Sequence, residues 1–214
     1  MPQPILWYFA DPMCSWCWGF TPVIEQIKQH YDDRLKVALV MGGLRPGTTE
    51  SITPALREDL LHHWDAVQRM SGAEFRTEGA LPDGFVYDTE PAARAVITVG
   101  GINPVVTFLY YKSVQAAFYT QNVDITQTNE LTQLAHNLGI DPQQFRKEFE
   151  SEDARQKTRQ HFAQTRAYGV QGFPTLIAEN TTAKRVVTRG YGNYADLRKT
   201  IDDWLSSESG MNGC

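Results

Sequence analysis

Cysteine is scarce in this sequence, with three residues in 214. That excludes a small fold stapled by a dense disulfide framework. Long apolar runs are missing too. No stretch approaches the ~18 consecutive apolar residues of a membrane-spanning helix. The opening, MPQPILWYFADP, has no positively charged segment, and its apolar run of about six residues is shorter than a secretory leader uses. Basic clusters are likewise absent. Lys and Arg total 20 against 25 Asp and Glu, for a net charge of −5, which argues against nucleic acid as a partner. There are no repeats and no low-complexity segments. These absences together lead us to expect a cytoplasmic protein, off the membrane. A thiol pair in that compartment is normally held reduced and is catalytic or sensing.

The length fits one domain carrying an insertion, or two small domains, and is enough to bury a core. Ile5–Phe9 reads as a buried strand. Phe20, Val23, Ile24, Ile27 and Tyr31 recur at helical spacing, with Pro22 placed to kink that helix and Asp32-Asp33 to end it. Leu35–Met41 (LKVALVM) is strand-like and stops at Gly42-Gly43. A block of helical patterns follows. One spans Thr53–Met70. A second starts from a Thr89 cap and ends at Gly100-Gly101. Others open at Asn103-Pro104, run through Leu131–Leu138, open at Asp141-Pro142, and span Glu152–Tyr168. The end returns to strands at Phe173–Glu179 and Lys184–Gly190, joined by a hairpin. A last helix is capped by Asn193 and carries Leu197, Ile201, Trp204 and Leu205 on one face. The tail SSESGMNGC, which holds the third cysteine, Cys214, is small and polar and expected to be mobile. The order is βαβ, a helical block, then ββα. It predicts an α/β frame at residues 1–52 and 165–214, interrupted by a helical insertion at 53–164.

Cys14 and Cys17 lie three apart where the first strand gives way to the first helix. A helix N-terminus favours a thiolate, because its unpaired N–H groups and its dipole stabilise negative charge. Cys14 is expected to be exposed there, and Cys17, one turn on, less so. With that spacing the second thiol can attack a mixed disulfide formed at the first. Cysteines also occur as small buried hydrophobes, so inert packing is the competing reading. Zinc needs four ligands. There is no second C-x-x-C, and His30, His62, His63, His136 and His161 form no companion motif, so no metal is expected. Asp11 reads as a turn or cap residue, whose carboxylate could also assist Cys17 deprotonation. Of Trp16 and Trp18, one is expected to pack and one to line a substrate groove. His62-His63 reads as a solvated helix face and Arg45 as a surface arginine near the active face.

A second motif is GVQGFPT (Gly169–Thr175), with Pro174 opening a strand. A proline there removes one ladder donor and frees neighbouring backbone to pair with something extrinsic. An ordinary strand-opening proline is the alternative. Taken together, Cys14-Ser15-Trp16-Cys17, Pro22 and GFPT resemble the thioredoxin-like superfamily, and within it the DsbA family with its all-helical insertion. DPMCSWCWGF is similar to the FrnE-type, cytoplasmic disulfide isomerase branch.

The resemblance covers nearly the whole chain. It implies Cys14 as nucleophile and Cys17 as resolving thiol. It also implies a cis Phe173–Pro174 bond facing Cys14, and a substrate site at Phe173, Pro174 and Trp16. The sequence has uncharged Ser15-Trp16 where oxidant family members carry Pro-His, which points away from a strongly oxidising role. The implied function is a thiol–disulfide oxidoreductase or isomerase, acting on protein or small-molecule thiols and disulfides. Its redox group is its own disulfide, with glutathione as an optional co-substrate, and it works as a monomer or weak homodimer. Two other classes compete. Glutathione-handling enzymes of the kappa-transferase and chromene-carboxylate isomerase type carry serine at the first cysteine position. The other rival is a non-catalytic, redox-responsive binding protein.

Overall fold

The computed structural model describes residues 3–210, with side chains through 206. Cys214 and the end of the polar tail lie outside the described residues. Four strands form one mixed sheet in the order β2-β1-β3-β4: β1 (Ile5–Ala10), β2 (Lys36–Met41), β3 (Thr175–Glu179) and β4 (Lys184–Arg189). β1 runs parallel to β2 and antiparallel to β3, and β3 and β4 make an antiparallel hairpin. Side chains alternate across the pleat. Leu6, Tyr8 and Ala10 enter the main core, while Phe9 joins Val40 and Ile177 on the opposite face, against Tyr168 and Val170.

The connection from β1 to β2 is α1 (Ser15–Tyr31), which packs on the sheet and on the last helix, α8 (Tyr194–Gly210). Phe20, Ile24 and Ile27 of α1 are essentially inaccessible to solvent. Each such burial is worth roughly 1.5–3 kcal/mol. Between β2 and β3 lie α2 (Pro54–Ser71), α3 (Glu90–Ile102), α4 (Thr107–Gln121), α5 (Thr128–His136), α6 (Pro142–Phe149) and α7 (Glu152–Ala167). α2 and α4 pack on α1, and α7 packs on both α3 and β2, so helices cover both faces of the sheet. This is an α/β fold of the DsbA-like thioredoxin type.

Local chemistry accounts for several boundaries. Thr53 caps α2 through its hydroxyl, which accepts from Leu56 N at 3.1 Å, and Pro54 takes the first helical position. Asp141 and Ser151 cap α6 and α7 in the same way. Three expectations need correction. α3 passes through Gly100-Gly101 and ends at Ile102. A β-carbon on Gly100 would stand 3.4 Å from Thr107 Oγ1, so that glycine serves the close approach of α4. Thr89 precedes α3 without capping it through its side chain; its oxygen accepts from Arg45 N at 3.0 Å. β3 starts at Thr175, after the Phe173–Pro174 bond, which is cis.

Candidate active site

The strand-to-helix corner is built around Asp11. Its main-chain oxygen accepts from Cys14 N at 3.1 Å, which closes the turn that delivers Cys14 to the N-cap of α1. Cys14 has extended backbone angles (φ −90°, ψ 115°), and its carbonyl accepts from the amides of Cys17 and Trp18. Its sulfur is therefore at the helix mouth, while Cys17, one turn on, points into the core. Both are free thiols.

Cys14 is 6% exposed and Cys17 is fully buried, which corrects the expectation of an exposed first thiol. The cover comes from across the sheet. The segment before β3 crosses the helix mouth, and Cys14 Sγ faces the Phe173 carbonyl at 3.5 Å. Burial pushes the Cys17 thiol well above its ordinary value. The neighbouring Cys14 sulfur adds to this, and a backbone contact at Asp11 opposes it. The two thiols are thus unequal. The Cys14 sulfur lies at the N-terminus of α1, and the deeper Cys17 thiol is held protonated.

Asp11 itself is fully buried. Its carboxylate accepts from Met13 N at 2.9 Å and from Leu44 N at 2.8 Å. The Thr89 hydroxyl and the Gly43 amide also favour its ionised form. Burial outweighs these donors and raises the carboxyl to about 6. Its charge is felt at the Cys17 thiol. Both the corner and the loop after β2 are therefore fastened to one carboxylate.

Beneath the pair lies a buried polar chain that sequence reading missed. Thr21 Oγ1 meets the Cys17 carbonyl at 3.1 Å and Gln115 Oε1 at 2.8 Å. Gln115 Nε2 donates to Tyr111 OH at 3.0 Å, and Tyr111 OH lies 3.4 Å from Tyr8 OH. The only sequence signal was Gln115 amid the apolar residues of α4. Tyr87, also buried, donates its hydroxyl to the Met13 carbonyl from the helical side.

The two tryptophans have different settings. Trp18 stacks on Tyr119 with a 14° interplanar angle, and its Nε1 donates to the Glu74 carbonyl at 2.9 Å, tying α1 to the helical block. Trp16 is half-buried against Tyr191, beyond the end of β4. Arg45 lies over the Tyr87 ring, 5.8 Å from its centre, and His62 and His63 are exposed on α2. Among the described residues no group of three or more His, Cys, Asp and Glu could hold a metal, and no helix is long and apolar enough to cross a membrane.

Comparison with known proteins agrees with this fold. The family model for the DSBA-like thioredoxin domain matches residues 5–201. A solved structure from Nitrosomonas europaea, assigned provisionally as a protein disulfide isomerase, is 43% identical with a TM-score of 0.92, covering 96% of this chain and 99% of that one. The cytosolic disulfide reductase DsbM from Pseudomonas aeruginosa is 25% identical with a TM-score of 0.79, covering 94% and 98%. Among curated proteins, the ClpXP adapter protein SpxH of Halalkalibacterium halodurans is 22% identical over 209 residues, covering 94% of this chain and 67% of that protein. The Bacillus subtilis protein of the same name is 23% identical, covering 89% and 63%. The chain thus spans about two thirds of the length of these curated relatives.

Proposed function

The chain belongs to the family of DSBA-like thioredoxin domains, and on that premise we propose that it exchanges disulfides through Cys14 and Cys17, working as a reductase or isomerase of thiol-containing substrates in the cytoplasm. The observation that carries this reading is the unequal pair, with Cys14 at the helix mouth opposite the Phe173 carbonyl and Cys17 buried behind it. The Cys14 thiolate attacks a substrate disulfide. A bond forms between Cys14 and one substrate sulfur, and the other substrate sulfur leaves as a thiolate. Cys17 gives up its proton and attacks the Cys14 sulfur. The internal disulfide forms, and the second substrate sulfur departs. The substrate gains two electrons and the pair loses two, to be restored by an external thiol such as glutathione.

Asp11, with a carboxyl raised to about 6, is largely ionised at neutral pH, and its charge is felt at the Cys17 thiol that must be deprotonated in the second step. Phe173 faces the attacked sulfur through its carbonyl, Pro174 follows it, and in this reading the Phe173 backbone pairs with an extended substrate. Trp16 supplies an aromatic flank. The cytoplasmic assignment is supported by DsbM, which is named as a cytosolic reductase. Cysteine at both positions of the motif disfavours the serine-dependent glutathione enzymes.

Insulin reduction with glutathione or dithiothreitol as the electron source tests the proposal. The wild-type chain should turn over, and Cys14→Ser should be inert. A protein that binds partners without reducing insulin, with binding unaffected by Cys14→Ser, would instead favour the non-catalytic reading.

A further inference from the structure

Gly42 and Gly43 follow β2 directly, and the sequence reads them as a strand stop. Gly43 has φ +74°, so its backbone calls for glycine. Gly42 has no such requirement, since its φ is not in the left-handed region. What excludes a side chain there is the Phe173 ring. A β-carbon on Gly42 would overlap it, with three ring carbons within 2.8 Å. The ring lies on a bare α-carbon.

That contact closes a circuit through the active site. Gly42 N donates to Ala10 O at 2.7 Å, fixing the glycine to the end of β1. Leu44 N donates to Asp11 Oδ2 at 2.8 Å, and Asp11 O accepts from Cys14 N at 3.1 Å, fixing the same loop to the start of α1. Phe173 rests on Gly42, and its carbonyl faces Cys14 Sγ at 3.5 Å. On the other side of Phe173, Gly190 N donates to Pro174 O at 2.7 Å and ties the segment to the end of β4. The ring on Gly42 is the contact that joins the Phe173 side chain to this set, which otherwise holds through main-chain hydrogen bonds and the Asp11 carboxylate.

We propose that Gly42 is a positioning residue: its bare α-carbon seats the Phe173 ring and so holds the Phe173 backbone in register with Cys14 for peptide disulfides. The inference rests on the exchange activity proposed above. A methyl group at position 42 must displace the ring, and the backbone behind it loses its anchor. A small alkylating reagent that makes no backbone pairing does not use that register.

The test compares two probes of the same sulfur, insulin and iodoacetamide. Gly42→Ala should lower kcat/KM for insulin reduction by about tenfold or more, while Cys14 alkylation stays within about twofold. In a Phe173→Val background, which empties the seat, adding Gly42→Ala should change the insulin rate by less than about twofold. An unchanged insulin rate in Gly42→Ala would overturn the proposal. So would a parallel fall in alkylation, or the same loss in the Phe173→Val background. If Gly42→Ala does not fold, Phe173→Val alone decides: insulin reduction should fall with alkylation preserved, and a wild-type insulin rate would refute the role of the ring. Failure of the wild-type protein to reduce insulin would instead remove the exchange reading on which this inference stands.

Discussion

Asp11 carries more of the site than its place in a turn suggests. Its carboxyl is raised from 3.8 to about 6 because burial outweighs the amides and hydroxyl that hold it. A raised carboxyl binds its proton more tightly folded than unfolded. Its contribution to stability is therefore fully present below pH 3.8 and is lost as pH rises through about 6. Asp11→Asn removes that dependence. Between pH 4 and pH 8, wild type should lose about 2 kcal/mol relative to the variant, read from urea unfolding across the range. A wild-type-to-variant difference that is flat with pH would show that Asp11 does not titrate in the fold. The dipeptide between the cysteines belongs to the same scale. Ser15-Trp16 brings no charge to the thiolate. Replacing it with Pro-His should raise the reduction potential, by ~30 mV for each ~1.4 kcal/mol of added thiolate stabilisation. An unchanged glutathione equilibrium would mean that the dipeptide does not set the potential.

At the scale of elements, α3 is locked to α6 by a buried arginine. Arg94 is 6% exposed. Its Nε donates to Glu90 Oε1 at 2.8 Å and its Nη1 to the Phe149 carbonyl at 2.7 Å, and its guanidinium lies 4.0 Å from the centre of the Phe149 ring. Arg94→Ala leaves the Phe149 carbonyl and the Glu90 carboxylate without this partner and should cost about 2–4 kcal/mol. The urea midpoint should fall while the insulin rate per folded molecule stays within about twofold, because no member of the lock touches the sulfur. Loss of activity without loss of stability would mean that the helical block acts on the thiols through α3. Thr89, one residue before that helix, illustrates a limit of capping rules. Its type and position suit a cap, yet its oxygen is engaged by the loop after β2.

For the whole molecule, the legible parts were those written in local pattern. Apolar runs bounded by Asp-Pro and Gly-Gly marked β1 and β2, helical spacing marked α1, and the cysteine pair stood at their junction. The illegible parts depend on segments distant in sequence. Cys14 reads as exposed from its place at a helix start, but the Phe173 segment arrives from beyond the helical block and covers it. Asp11 reads as a turn residue because nothing local reveals that Leu44 and Thr89 close over its carboxylate. Gly42 reads as punctuation, because the ring it seats belongs to the other end of the chain.

The central claim is that Cys14 attacks and Cys17 resolves. It is tested most directly by reacting Cys17→Ser with oxidised insulin and mapping the trapped product by peptide mass spectrometry. The account predicts a stable mixed disulfide between Cys14 and an insulin cysteine, absent when Cys14 is also replaced. A bond to any other residue, or no covalent product from a folded variant, would contradict it.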